Sequence, residues 1–491
     1  MINLVLLLTE VLSINDFEYK HALSKIVKGI YSISTGGVTQ KNISRQTNSI
    51  TNSSEHTKHT RGYSYRSVQR FFALDINWSM LYLACINYFF INQPAKTYLL
   101  AIDEVVEKKS GKSTHGVGRF FSSIVGKPIR SVCFHVLSVI GVDSRKSFVL
   151  AQESRETQTN KSDKSDKSDK SDKSDKSDKS DKKNNSKGIK GLKKTTKKAK
   201  RKVGRPKGSK NKTNVKEHTE LSKSFERLLQ LGLNLLASIG IIPSYIVADG
   251  AYASKTYVLI SKELGIELIS KIRNNSVLYL PAHPDTSHTK GKKKRGRKKK
   301  YGKKVEYDKL NKNSPFFYKT IKHNENSNVL IDIYHFEQIW VKFLPVKINV
   351  VVLISTHLKT GKRSRKVLFS TDLKLSADLI IEFYCLRFQI EFNFRDAKQH
   401  FGLADFRAYK KKQVNNSVGL AFFMVNFTHI VRKKVMDKYQ LEQFSIIDLK
   451  ACFRAEKYVF LILNLIGLEP DEFNYDEKII SLAAKDAINL N

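Results

Sequence analysis

The chain has 491 residues and carries 87 Lys and Arg against 46 Asp and Glu, a net charge of +41. That length exceeds one compact domain and can bury a sizeable core. The charge favours a polyanionic partner, most simply nucleic acid, over a polybasic membrane surface, because neither a lipidation motif nor a spanning helix accompanies it.

The excess is uneven. Lys161 to Lys212 holds 22 basic and 7 acidic residues, and Lys290 to Lys304 adds 11 basic residues with no acid, so these two runs account for +26 of the total. The rest is spread over the other segments. Cys85, Cys133, Cys385 and Cys452 form no CxxC pair and are expected as buried thiols of a reducing compartment. Ile2 to Leu8 is apolar but short, with no basic residue before it, and reads poorly as a signal peptide. A soluble, cytoplasmic, nucleoid-associated protein with no membrane partner is expected.

Residues 1–96 read as a helical DNA-binding domain. Apolar positions recur at helical spacing in Phe17 to Ile33 and in Val68 to Ile91, with Gly36-Gly37 between them. The second helix leaves Arg66, Gln69 and Arg70 exposed, which suits a helix-turn-helix; a plain helical domain is the competing reading, since Asn48 to Arg61 is long for the turn. Lys96 to Val106 changes period to a buried strand with Asp103 near its end. Gly111-Lys112-Ser113 resembles the end of a phosphate-binding loop, but Val106 stands where the earlier glycine belongs, which excludes one. Ser131 to Val142 and Ser147 to Gln152 are two further strands around the turn Gly141-Val142-Asp143-Ser144, so 97–157 begins a mixed α/β sheet.

Residues 158–220 cannot form a core. Seven Ser-Asp-Lys copies run from Ser162 to Lys182, and RKVGRPKGSKNK follows. Its Gly204-Arg205-Pro206 centre resembles an AT-hook, with Arg205 placed to enter an A·T minor groove; a solvated basic linker is the alternative. Folded sequence resumes in 221–274, with a helix over Phe225 to Ile239, a strand over Ser244 to Ala248 ended by Asp249-Gly250, a helix over Lys255 to Leu264 and a strand over Glu267 to Ile272. Residues 275–371 read as a β-rich insertion with the second basic run and strands at Val329 to Phe336, Ile348 to Ser355 and Lys366 to Ser370. Its Trp340 can stack on a base or belong to a core.

Residues 372–410 hold the stretch FYCLRFQIEFNFRDAKQHFG, expected as one helix from N-cap Ser376 to Gly402. Tyr384, Arg387, Glu391 and Lys398 fall within roughly a 60° arc of such a helix, beside an apolar stripe of Phe383, Leu386, Ile390, Phe394 and Phe401. Any amphipathic helix has a polar face, so this arc matters only through what it meets. Residues 411–491 are expected as C-terminal helices that cover the sheet or make a dimer contact.

Asp103, Asp249 and Glu391 are three hard oxygen donors, and no Cys or His cluster offers a zinc site. Carboxylates alone select Mg2+ (or Mn2+). Two ions about 4 Å apart can activate water at a phosphodiester and stabilise the leaving oxygen. Arg387 and Lys398 can hold neighbouring phosphates.

Tyr384-x2-Arg387-x3-Glu391-x6-Lys398 resembles the Tyr-Arg-Glu-Lys signature of DDE transposases of bacterial insertion sequences, and Asp103 in AIDEVVEKKSGK and Asp249 in VADGAY look like that family's first two acids. The resemblance spans roughly residues 60–430. It implies a ribonuclease-H-like mixed sheet flanked by helices and interrupted by a β-rich insertion. It also implies metal-dependent cleavage at transposon ends with strand transfer into target DNA, double-stranded DNA as partner, and a homodimer in a synaptic complex. End hairpins and base flipping in similar members would give Tyr384 and Trp340 a role. The Ser-Asp-Lys tract inside the core departs from the pattern, which leaves a non-catalytic DNA-binding relative, or a nuclease without transposition, as the alternatives that flanking inverted repeats would test.

Overall fold

Two long β-prone runs, around Leu99 and around Val136, frame the molecule. The computed structural model describes residues 3–12, 20–34, 37–48, 64–111, 113–122, 125–155, 219–282, 300–322, 328–468 and 475–485. Arg205, the Ser-Asp-Lys tract and most of the second basic run lie outside them, as does most of the break between the two expected N-terminal helices.

The N-terminal region is helical: α1 (Leu4–Leu12), α2 (Lys20–Tyr31), α3 (Gln40–Asn48), α4 (Tyr65–Ala73) and α5 (Trp78–Asn92). The apolar run at the start of the chain becomes α1, with Leu4, Leu7, Leu8, Val11 and Leu12 buried. The single helix expected over Val68 to Ile91 is two helices bent by 93°. Ser64 caps α4 by accepting from the Ser67 N–H at 3.2 Å. The carbonyls freed where α4 ends are taken up from outside, because the Asn416 amide donates to Phe72 O at 2.9 Å and Leu74 O at 2.8 Å. Its oxygen accepts from Trp78 Nε1 at 2.9 Å.

The strands are β1 (Tyr98–Lys108), β2 (Gly118–Ser122), β3 (Lys127–Gly141), β4 (Lys146–Ser154), β5 (Tyr245–Ala248), β6 (Glu267–Ile272), β7 (Tyr279–Pro281), β8 (Tyr301–Lys304), β9 (Phe317–Lys322), β10 (Val329–Ile339), β11 (Ile348–His357) and β12 (Arg363–Ser370). Ten of them form one mixed sheet in the order β2-β3-β1-β5-β6-β12-β11-β10-β9, with β4 also on β3. β1, β5 and β6 are parallel neighbours, and β3 and β12 flank them antiparallel. The β-rich insertion thus does not close into a sheet of its own. Val367 to Ser370 pair with Ile269 to Ile272, so β12 extends the central sheet and covers an edge that β6 would otherwise expose. Only β7 and β8 pair apart from it. β2 falls between the expected strands, and its short GRFFS lacks the apolar run that marks a strand.

The remaining helices are α6 (Glu220–Ala237), α7 (Lys255–Glu263), α8 (Ala377–Leu386), α9 (Gln389–His400), α10 (Lys411–Tyr439), α11 (Ile446–Leu465) and α12 (Asp476–Ala484). Register assigns the sheet faces. Leu137 stands opposite Ile102 and packs on α6, where a Cβ on Gly232 would lie 2.4 Å from it. Asp103, next along β1, therefore faces away from α6. Of the described helices, α10 is long and apolar enough to cross a membrane, but most of its apolar stretch is buried within the protein.

Candidate active site

Parallel pairing of β1 with β5 ends at Ile102 opposite Ala248. The next residue on each chain is an aspartate, so Asp103 and Asp249 stand side by side at one level of the sheet. Asp249 follows the end of its strand as expected. Asp103 does not end β1, which runs on to Lys108 because β3 keeps pairing with it through Ser131.

Above this level lies the expected long helix, and it is broken. Ser376 caps α8, its hydroxyl accepting from the Leu379 N–H at 3.4 Å. The helix tightens at Arg387-Phe388, where Phe388, Ile390 and Glu391 N–H groups donate three residues back, and α9 follows. Phe383, Leu386, Ile390, Phe394 and Phe401 are buried, so the apolar stripe survives the break. The break places Glu391 in the first turn of α9, where the helix dipole favours a carboxylate.

Arg387 joins the two levels. One guanidinium nitrogen donates to Asp103 Oδ2 at 2.9 Å and the other to Glu391 Oε1 at 2.7 Å. The side chain is 11 % exposed, so in this form it is spent on carboxylates rather than presented to an incoming phosphate. Its charge lies 5.8 Å from the centre of the Tyr384 ring. Lys398 is paired too, with Glu107 on the same face of β1. α9 thus runs along β1, tied by Arg387 at Asp103 and by Lys398 four residues on.

Asp249 has its own cation. Lys271 of β6 pairs with it at 2.8 Å. Gly250 follows closely beneath Lys271, where a Cβ would come within 3.0 Å of the lysine side chain and 3.1 Å of its carbonyl. The Asp249 carbonyl accepts from Ser270 Oγ at 2.9 Å. Tyr252, at the end of the same turn, donates to His135 Nε2 at 2.9 Å in the layer below. Ser224 Oγ spends its proton on Glu153 Oε2 at 2.8 Å, so His135 Nδ1 donates to Ser224 at 2.9 Å and Nε2 is left to accept.

The electrostatics follow from burial and neighbours. Burial lifts the Asp103 carboxyl to about 6; Arg387 and the Glu104 N–H oppose this, while Asp249 and Glu391 add to it. Burial also acts to raise Asp249, but the Lys271 hydrogen bond, the Gly250 N–H and the charges of Lys271 and Arg387 outweigh it and hold it below the ordinary range. Asp103 thus senses two acids remote from it in sequence, with Arg387 beside it in opposition.

The donor set fits hard divalent ions in kind, being oxygens only, and positive charge already stands between the acids. As they lie, no three Asp, Glu, His or Cys side chains among the described residues are close enough to share an ion. Arg387 occupies the position between Asp103 and Glu391, and Lys271 flanks Asp249 on its far side.

Beside the acids opens a cavity of about 1020 Å³, lined among others by Asp249, Lys271, Arg273, Lys366, Tyr384 and Arg387. Trp340 is not part of it. Its backbone pairs with Tyr279, and Lys300 Nζ sits 3.6 Å from the centre of its ring system. Arg66 and Arg70 are exposed on α4, which packs on α3 and α10. Cys385 is exposed at the cavity, against the expectation of buried thiols, because it lies on the flank of α8 away from the Phe383 and Leu386 stripe; the other three cysteines are buried. Sequence reasoning passed over Lys271 and Glu107. Neither has a local signal, since each matters only through the strand register that sets it beside Asp249 or Lys398.

A family model described as DDE superfamily endonuclease matches residues 42–316, which include Asp103 and Asp249. A second, described as Transposase DDE domain, matches 218–427, which include Asp249 and Glu391. No curated protein matches the chain.

Proposed function

The chain belongs to the DDE superfamily, and on that premise we propose that it is a DNA transposase of the bacterial insertion-sequence group with the Tyr-Arg-Glu-Lys signature, cleaving DNA at transposon ends and joining them to target DNA. The observation that carries this reading is the Arg387 fork joining Asp103 to Glu391, with Asp249 one strand away. The strand order β4-β3-β1-β5-β6, in which β3 alone is antiparallel, supports a ribonuclease-H-like core.

Asp103, Asp249 and Glu391 would hold two Mg2+ (or Mn2+) ions, which when bound supply Lewis-acid stabilisation and an activated water at the phosphodiester. The protein's own cations perform a separate task. Arg387 and Lys271 neutralise the acids at rest. When the acids are otherwise neutralised, the Arg387 fork becomes free to take a phosphate through two charge-assisted bonds, and Lys271 to take one as a point charge. Lys398 and Glu107 keep α9 aligned on β1, so Glu391 stays level with Asp103. The Ser224–His135–Tyr252 chain holds the turn that carries Asp249. DNA ends bound by two copies of the chain would complete the reaction.

Asp249→Asn tests the assignment. End-DNA cleavage should be abolished while affinity for the same DNA stays nearly unchanged. Cleavage at more than a few per cent of the wild-type rate would remove Asp249 from the site.

A further inference from the structure

The cavity beside the acids continues their row across the sheet. Asp103 and Asp249 are level, and the β5–β6 register carried on from Val247 opposite Ile269 sets Lys271 level with Asp249. On the next strand Leu368 faces Lys271, and the same register brings Lys366 opposite Arg273. Leu353 of β11 stands opposite Lys366. One face of the sheet therefore reads acid, acid, base, and then a pair of bases, Arg273 one strand and Lys366 two strands from Asp249, the latter roughly 10 Å away. α8 roofs this floor with Ile381, Tyr384 and Cys385.

The space has the sign and section of a single polynucleotide strand. Of its charged lining residues, Lys271, Arg273, Lys366 and Arg387 are basic and Asp249 alone is acidic. Arg273 and Lys366 are exposed and make no ion pair among the described residues. Tyr384 and Phe388 offer ring faces at the roof, Phe388 being 49 % exposed. A base can stack on such rings whatever its identity. A helix laid over a sheet leaves about 10 Å between backbones, too little for a duplex.

We propose that this cavity is a channel for the unpaired DNA strand adjoining the scissile phosphate, with Lys271, Arg273 and Lys366 holding successive phosphates. The proposal rests on the reading of Asp103, Asp249 and Glu391 as the cleavage site, because it is their position that makes the channel's mouth the place where a strand is cut. Lys271 then exchanges Asp249 for a phosphate as the strand enters.

The test uses the full chain and two fluorescent duplexes of equal paired length, one blunt and one with a single-stranded overhang of about four nucleotides. Anisotropy is read in EDTA, so no strand is cut. The overhang should tighten binding on the order of tenfold at low salt and steepen the salt dependence by about 2, the share of roughly three single-strand phosphates. The double variant Arg273→Ala/Lys366→Ala, altered only at exposed positions, should bring the ratio of the two affinities close to one. An overhang bearing a disulfide-activated tether should cross-link to wild type and not to Cys385→Ser. Equal binding of both duplexes by wild type, a ratio unmoved by the double variant, or no cross-link to Cys385 would each overturn the channel. These readouts are independent of cleavage: Asp249→Asn that still cuts would sink the site assignment instead, with the overhang data unaffected.

Discussion

Arg387 is the residue on which the site turns. Arg387→Ala removes two short charge-assisted bonds and leaves Asp103 facing Glu391 without a cation between them. If the guanidinium later meets a phosphate, end-DNA binding should weaken by on the order of 1.5–3 kcal/mol, and cleavage should slow with it. Arg387→Lys should restore little, since a single ammonium cannot reproduce a planar fork bridging two carboxylates. Glu391→Gln should stop cleavage with little change in affinity. Affinity and single-turnover cleavage measured on the three variants decide this, and an Arg387→Ala protein that binds and cuts like wild type would show that the Arg387–Glu391 arc never meets DNA. A second group of residues sets the pH response. Burial lowers His135 to about 3, and burial with the nearby cations Lys146 and Arg432 does the same for His429. Their folded values lie below the ordinary histidine value near 6.5, so the unfolded chain binds protons first as pH falls. Stability that is complete above about 6.5 should be lost as pH falls from there toward 3. Between pH 8 and 5 the contribution of these two imidazoles to the thermal midpoint should fall, because they titrate there in the unfolded chain and not in the folded one, and His429→Phe should flatten the slope. An unchanged slope would mean that His429 does not titrate as its burial requires.

At the scale of elements, two junctions can be tested, one among the N-terminal helices and one beside the cavity. The first is the pivot between α4 and α5, where Asn416 of α10 satisfies two carbonyls and the Trp78 N–H. Asn416→Ala orphans these buried groups, and each costs about 1–3 kcal/mol when left unpaired. The same contact forbids a side chain at Gly419, where a Cβ would lie 2.3 Å from Trp78. Gly419→Ala should destabilise by about 1–3 kcal/mol through overpacking, despite the better helix propensity of alanine. Urea denaturation reads both, and a Gly419→Ala protein as stable as wild type would mean that α5 and α10 can separate without cost. The second junction is the start of α8. Ser376→Ala should cost about 1 kcal/mol by removing its cap. Because α8 roofs the cavity, that variant should also weaken overhang binding more than blunt-duplex binding.

For the whole molecule, more than half of the net charge sits in two short runs, +26 of +41. Every described strand belongs to the unit made of Met1–Thr157 and His218–Asn491, and the first basic run lies outside the described residues. Removing 158–213 deletes the whole of the first basic run, so DNA binding should become weaker and less salt-sensitive as fewer counterions are released. Cooperative unfolding of the deletion variant should persist. A salt slope identical to wild type would show that the run makes no contact with DNA, and failure to fold would show that a structural segment lies within it.

The strand runs of β1, β3, β5 and β11 were legible in the sequence, because each centres on an apolar stretch bounded by turn residues. The sequence also marked Asp103 and Asp249 as acids near strand ends, and Arg387 and Glu391 as neighbours on one polar arc of a helix, which are local properties. It did not reveal the break at Arg387-Phe388, since neither residue is a helix breaker and both keep right-handed helical angles; the tightening there accompanies α9 settling along β1. Nor did it reveal that the insertion's strands join the central sheet, or that Lys271 and Glu107 are partners of the site. Those depend on which strand lies beside which, and strand order is decided by burial across the whole sheet. A lysine in the sixth strand acquires meaning only when register sets it against an aspartate at the end of the fifth.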